Sequence, residues 1–453
     1  MNLAGFASQF RGEIFTPASP GYDSARAIWN GMVDRRPAAI ACCTGVADVA
    51  AAVRFAAEQD LYPAIRGGGH NVAGLATVDD GLVIDLTRMK GITVHGASRT
   101  ATAQTGLTWG QFDRETQAYG LATTGGLIST TGIAGLTLGG GVGWLMGRCG
   151  LVCDNTLAYD LVTASGEGLR ASADENPDLL WALKGGGGNF GVVTSITYRL
   201  YPITQVLAGM VLHPITRARE ALRFYRDFVM SGLPDELIVY AAALTTPDGL
   251  PVVAFMPAYS GDDLAEGEKV LEPLRKFGPP IADMVSRMPY LAMQGMLDAV
   301  APFGLRSYWK SGFLRELPDE AIDTFVHFAE SCPSPHSLAI LENSHGAVMR
   351  VGPEATAFGM RSEPFDLVLI SLWKDAASDA KQIDWTRRFH DAMLPWGAGS
   401  VYVNGLDQDD TARVPEAYGH NYARLQEIKA RYDPANRFRR NHNIAPKARA
   451  AAG

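Results

Sequence analysis

The chain has 453 residues, 47% of them hydrophobic, and a formal charge of −8. That length and apolar content suffice for two or three domains with full cores. The two signs of charge are mixed along the chain, which excludes a basic surface for nucleic acid or anionic lipid and leaves a small molecule as the partner, with a monomer or homodimer as the assembly.

In chain order, the opening MNLAGFASQFRGEIF lacks the basic-then-apolar pattern of a signal peptide, and no apolar run is long enough to span a bilayer. A cytoplasmic location is expected. Alanine-rich helical spacing predicts a helix over 48–60, GLVIDL a strand over 81–86, and ITVHGASRTATAQTG a hairpin-like β segment over 92–106. NPDLLWALKGGGGNFGVVTSITYRLYP (176–202) reads as a helix with proline in its first turn, a glycine stop and a β-rich strand. Of the 49 glycines, 32 fall in the first 200 residues, so that part of the chain is the one that meets a ligand with bare backbone. Beyond about residue 205, LIVYAAALTT, PVVAFMPAYS, SLAILENSHGAVMRV and FDLVLISLW read as strands, with helices over 261–276 and 318–331. This predicts an α+β domain on an antiparallel sheet. YARLQEIKARYDP is a helix ended by Asp433-Pro434, and NRFRRNHNIAP is irregular.

The five cysteines, Cys42, Cys43, Cys149, Cys153 and Cys332, form neither an even disulfide set nor a paired zinc pattern. No metal is expected. Three glycine-rich stretches remain to be tested. KGGGGNF (184–190) lacks the lysine and hydroxyl of a phosphate-binding nucleotidase loop. Gly186, Gly188 and Gly191 have G-x-G-x-x-G spacing, but a helix precedes and a strand follows, the reverse of a dinucleotide fold. RGGGHN (66–71) and TTGGLISTTGIAGLTLGGGVGWL (123–145) let the main chain approach a ligand and aim its N–H groups at an anion. Each alone is equally readable as tight turns. Together they suit a long anionic or planar ligand.

AIRGGGHNVAGLATVDDGLVIDLTRM, GIAGLTLGGGVGWLMGRCGLVCDN, ENPDLLWALKGGGGNFGVVTSITYRL and RYDPANRFRRNHNIAP occur in that order over nearly the whole chain. They resemble the berberine bridge enzyme-like FAD-linked oxidases of the vanillyl-alcohol oxidase superfamily, and among them bacterial members such as 6-hydroxy-D-nicotine oxidase and polyketide-tailoring flavin oxidases. The resemblance implies an α+β fold: an N-terminal segment (1–32), an FAD-binding domain of two α/β subdomains (33–205), a substrate domain with an antiparallel sheet (206–400), and a C-terminal segment (401–453) returning to the FAD domain. It assigns FAD binding to Arg66, Gly67, Gly68, Gly69, His70, Asn71 and Gly74 in the first loop. In the second it assigns Thr124, Gly125, Gly126, Ser129, Thr131, Gly132, Gly135, Gly139, Gly140, Gly141, Val142 and Gly143, and beyond these Val193, Asn441 and Asn443. His70 falls where the family joins a histidine ring nitrogen to the flavin 8α carbon. The cysteine of a second link, present in many relatives, is Ile128 here, so a single histidyl link is implied.

The family position that screens oxygen from the flavin, valine in oxidases and leucine in dehydrogenases, is Thr131, which keeps the size of valine and adds a hydroxyl. The usual bases are absent. The glutamate of plant relatives falls on Arg350, and the tyrosine of an asparagine-tyrosine pair on Gly405 after Asn404. Tyr402 and Glu342 stand as alternative bases, Thr131 as a group acting on oxygen, and Arg350 as the holder of an enolate or carboxylate. His442 departs from the usual glutamine or tyrosine, on the side facing substrate. The implied activity is hydride transfer from a small organic substrate, an amine, alcohol or polyketide-like metabolite, to covalently bound flavin, with O2 as reoxidant and hydrogen peroxide as product. A flavin-dependent cyclase, oxidative or redox-neutral, and a non-catalytic flavin-binding protein are the alternatives.

Overall fold

The computed structural model describes residues 3–448. Its first sheet sets Ala39–Cys42, Leu82–Asp85 and Pro63–Arg66 parallel, with Glu13–Phe15 added antiparallel beside Ala39–Cys42. AIAC and LVID are buried at every position, as parallel strands covered on both faces must be. The covering helix, Val46–Glu58, turns Val49, Ala52, Val53 and Ala56 inward at helical spacing. Phe6 and Phe10 join this core. Burying a phenylalanine contributes about 1.5–3 kcal/mol, so Phe6 and Phe10 anchor the N-terminal segment to this sheet.

The second sheet is wholly antiparallel, in the order Ile92–His95, Thr100–Gln104, Val192–Arg199, Thr156–Val162, Gly168–Ser172. The expected hairpin forms its edge. The helix Pro177–Leu183 precedes Val192–Arg199, with the glycine run between them.

The third sheet carries nine strands; its central path is Pro251–Tyr259, Leu237–Thr245, Leu338–Asn343, Phe365–Trp373, Arg306–Leu314. All its pairings are antiparallel. One face presents Val239, Ala241, Leu341, Leu367 and Leu369 to the helices Ala218–Val229, Asp319–Glu330 and Asp379–Met393. The other presents Tyr240, Ala242, Ile340 and Val368 to Trp144, Leu145 and Tyr402. Antiparallel sheets commonly leave one face in water and alternate apolar with polar residues. This one is covered twice, which is why LIVYAAALT and LVLISLW are continuous apolar runs. SLAILENSHGAVMRV is a strand only to Asn343; Gly346, at φ 67, turns the chain into the short helix Ala347–Arg350.

Candidate functional site

A cavity of about 350 Å³ is enclosed by the glycine loops, the third sheet and the C-terminal segment. The first loop leaves the C-terminal end of Pro63–Arg66 and lines it with Gly67, Gly68, Gly69, His70 and Asn71. The second lines it with Gly126, Thr131, Gly132, Gly135, Gly139 and Val142, and Val193 adds a contact from the second sheet. The facing wall follows the period-two rule of strands: Leu338, Ile340 and Glu342 alternate inward, as do Val368, Ile370 and Leu372, with Trp309 and Ser311 beside them. The C-terminal segment supplies Tyr402, Asn404, Tyr418, Asn441 and His442.

Two features of the cavity call for a polar ligand. A Cβ built on Gly135 meets nothing within 4 Å, so the first turn of the helix Ile133–Leu138 presents bare backbone to the cavity. Ser311 Oγ, Tyr418 Oη, Asn441 Oδ1 and His442 Nε2 are buried with no hydrogen-bond partner among the described residues. A buried polar group left unsatisfied costs about 1–3 kcal/mol. Bare glycine backbone on one side and unsatisfied side chains on the other fit FAD, with its phosphates and its polar ring edge.

His70 sits at the mouth of the first loop. Its Nε2 lies 3.0 Å from Thr130 Oγ1, and its ring stacks on Trp29 with centroids 4.9 Å apart and planes 23° apart. Burial pushes its pKa down to about 4, against the opposing pull of Asp298. At neutral pH the imidazole is uncharged and keeps a nucleophilic lone pair. Asp298 also clamps the second loop, accepting from Ser129 N at 2.7 Å and Ser129 Oγ at 2.6 Å.

Tyr402 Oη accepts hydrogen bonds from Gly141 N at 3.0 Å and Asn404 Nδ2 at 2.8 Å. A phenol has two acceptor sites and one proton, so the proton is what Tyr402 has left to offer. Burial raises its pKa, which holds that proton in place. Glu342 reaches the same cavity from the sheet, and burial raises its carboxyl well above the ordinary range. Thr131 lines the cavity, and its hydroxyl has no partner among the described residues; its main chain is fixed to Ile128 O and by Trp109 N.

Other expected residues stand elsewhere. Arg350, expected to hold an enolate or carboxylate, is outside the cavity: it ends the short helix beyond Gly346, is exposed, and makes a two-pronged ion pair with Asp235. Arg66 is buried outside the lining and pairs with Asp85 on the neighbouring strand at 2.6 Å, because a buried guanidinium needs a carboxylate. Thr124 donates to Gly150 O at 2.7 Å, and Gly143 packs on Gly125 O. Gly140 and Gly141, at φ 117 and 90, turn the chain against Phe358 and Val152. Gly74 carries Arg440 on its carbonyl at 3.2 Å, and Asn443 is outside the lining. These groups shape the loops.

Several cavity residues escape sequence reasoning. Trp29, Trp309, Ser311 and Tyr418 carry no motif. Gly187, Gly188 and Gly191 do line the cavity; their run offers bare backbone although its spacing fits neither a nucleotidase loop nor a dinucleotide fold.

The profile for FAD binding domains matches residues 37–172, and the profile described as berberine and berberine-like matches residues 401–445. An FAD-linked oxidoreductase of Dictyostelium discoideum is 31% identical over 97% of this chain and 96% of its own length. The (R)-6-hydroxynicotine oxidase of Paenarthrobacter nicotinovorans is 30% identical over 96% of this chain and 97% of its own. The crystal structure of 6-hydroxy-D-nicotine oxidase from Arthrobacter nicotinovorans superposes with a TM-score of 0.88 at 28% identity, covering 97% of this chain and 98% of that one. The fold and the site define a flavoprotein oxidoreductase. The chain belongs to the berberine bridge enzyme-like family of FAD-linked oxidoreductases.

Proposed function

We propose that the protein oxidises a small, largely apolar organic substrate, with FAD tethered by a single bond to His70 and O2 as the terminal acceptor, giving hydrogen peroxide. Bound FAD supplies the chemistry, accepting a hydride and passing two electrons on. The neutral, stacked His70 supports the tether, and Ile128, which lines the cavity without a thiol, supports its being single.

The observation that carries the substrate class is the sheet wall. Leu338, Ile340, Val368, Ile370, Leu372 and Trp309 make it apolar, with Glu342 and Tyr402 among its few polar groups. Tyr402 serves as a hydrogen-bond donor that orients substrate. Glu342, which lines the cavity, serves as the base that takes the proton released on oxidation. The test is oxygen consumption and peroxide release with a panel of apolar amines, alcohols and phenols. Equimolar peroxide and product are expected, and Glu342→Gln should lower turnover about 10²-fold or more. Electron transfer to dyes without oxygen uptake would make the protein a dehydrogenase instead.

A further inference from the structure

The strand partner of Glu342 is a second carboxyl. Antiparallel register sets Glu342 directly opposite Asp366, and side chains so paired share a face with Cβ atoms about 4.5–5.5 Å apart. Both are buried, at 6% and 2% exposure. Neither oxygen of Asp366 has a hydrogen-bond partner among the described residues. Glu342 lines the cavity and Asp366 stands behind it.

The surroundings offer this pair little compensation. In the same row, Tyr240 stands opposite Glu342 and Phe313 opposite Asp366. Tyr240 spends its hydroxyl on Gly143 O at 3.3 Å, and Tyr225, packed on the far face of the sheet, spends its own on Val239 O and Leu341 O. Tyr402 approaches from the C-terminal segment; its hydroxyl accepts two bonds and has a single proton to donate, which cannot offset two carboxylate charges. The cation acting on Asp366 is Arg413, which is engaged by Glu416 at 3.0 Å and Asp410 at 3.6 Å. Two adjacent carboxylates in so dry a place cannot both carry charge.

We propose that Glu342 and Asp366 hold one proton between them, forming a carboxyl dyad in which Glu342 faces substrate and Asp366 is the positioning residue that sets its basicity. The inference rests on the reading of Glu342 as base. Oxidation breaks two bonds of the substrate: the hydrogen of a C–H bond would leave with its electron pair as the hydride that bound FAD accepts, and the proton of the adjoining N–H or O–H enters the dyad, which passes from singly negative to neutral. The proton is returned when O2 is reduced to hydrogen peroxide. Burial, which holds Asp366 up to about 7, agrees with a dyad that exchanges its proton near neutrality. The titration belongs to the pair rather than to either side chain.

The experiment is an infrared pH titration of the holoenzyme carrying isotopically labelled glutamate, comparing wild type with Asp366→Asn. In the variant the Glu342 midpoint is expected to fall by about one pH unit or more, because the like charge beside it is gone. An unchanged midpoint overturns the dyad. Should Asp366→Asn not fold, Glu342→Gln with labelled aspartate reads the reciprocal: Asp366 should ionise about one unit lower, and an unchanged Asp366 overturns the dyad equally. Turnover separates the two readings. Full activity in Glu342→Gln defeats Glu342 as base whatever the titration shows, whereas independent titration defeats the dyad whatever the turnover. In the steady state, Asp366→Asn should displace the acid limb of the kcat/KM pH profile rather than scale it uniformly.

Discussion

Gly68 and Gly132 lie back to back: a Cβ on Gly68 would stand 2.4 Å from Gly132 N, and a Cβ on Gly132 would stand 2.4 Å from Gly68 N. The two cofactor loops therefore touch through main chain alone, and no flexible side chain is present to give way. Gly68→Ala or Gly132→Ala is expected to cost about 1–3 kcal/mol by overpacking and to lower the flavin content of purified protein. Gly135→Ala should differ, because its Cβ meets open space. Flavin absorbance per chain should fall there with little change in the thermal midpoint of the FAD-free protein. Equal destabilisation by all three would contradict the distinction.

For His70→Ala the expected outcome is protein whose flavin is released by acid precipitation, while the wild-type pellet stays yellow and a proteolytic peptide containing His70 carries the FAD mass. Flavin retained in the pellet of the variant would remove His70 as the attachment point.

Tyr402→Phe keeps the ring and removes the acceptor for Gly141 N and Asn404 Nδ2. Leaving such donors unpaired costs about 1–3 kcal/mol, and turnover should fall about 10²-fold. Arg350→Ala serves as the contrast. Its ion pair with Asp235 is exposed, and exposed pairs contribute about 0–1 kcal/mol, so steady-state kinetics and stability should both match wild type. Loss of turnover in Arg350→Ala would return that residue to the site.

His213 is fully buried between Phe255 and Phe277, at centroid distances of 5.1 and 5.3 Å, and neither ring nitrogen has a partner among the described residues. Burial and then Arg217 hold its pKa below the ordinary value. The unfolded chain takes up a proton near pH 6.5 and the folded one resists it, so this contribution to stability is complete above about pH 6.5 and is lost as pH falls toward the folded value. His213→Phe removes the titration and exchanges two unpaired nitrogens for carbon. Its thermal midpoint should decline less than that of wild type between pH 7 and pH 5. Parallel declines would assign the acid sensitivity elsewhere.

What the sequence revealed of the site was whatever is local in the chain. AIRGGGH places glycines and a histidine at one strand end within seven residues, and the structure keeps them together. Arg350 enters the site only through its match to the glutamate position of plant relatives; the turn at Gly346 carries it to the surface instead. Asp366 was invisible, since its meaning comes from register with a strand some way back in the chain. RSYWKSGFL forms a strand although Arg306 and Lys310 break its apolar pattern. Lys310 is buried in it all the same, with Asp409 at 2.9 Å and Asp410 at 2.6 Å, both contributed by the C-terminal segment. A buried charge is readable only once its distant partner is known.

Trp29 and His442 border the same cavity, which has a consequence for the order of events during synthesis. A nascent chain, emerging N-terminus first, carries His70 early but does not own a closed flavin pocket until His442 has left the ribosome. Enclosure of the flavin thus waits for a segment made long after the histidine that faces it. Until then the glycine loops remain open to solvent, and a truncation before Asn441 leaves the pocket without that wall.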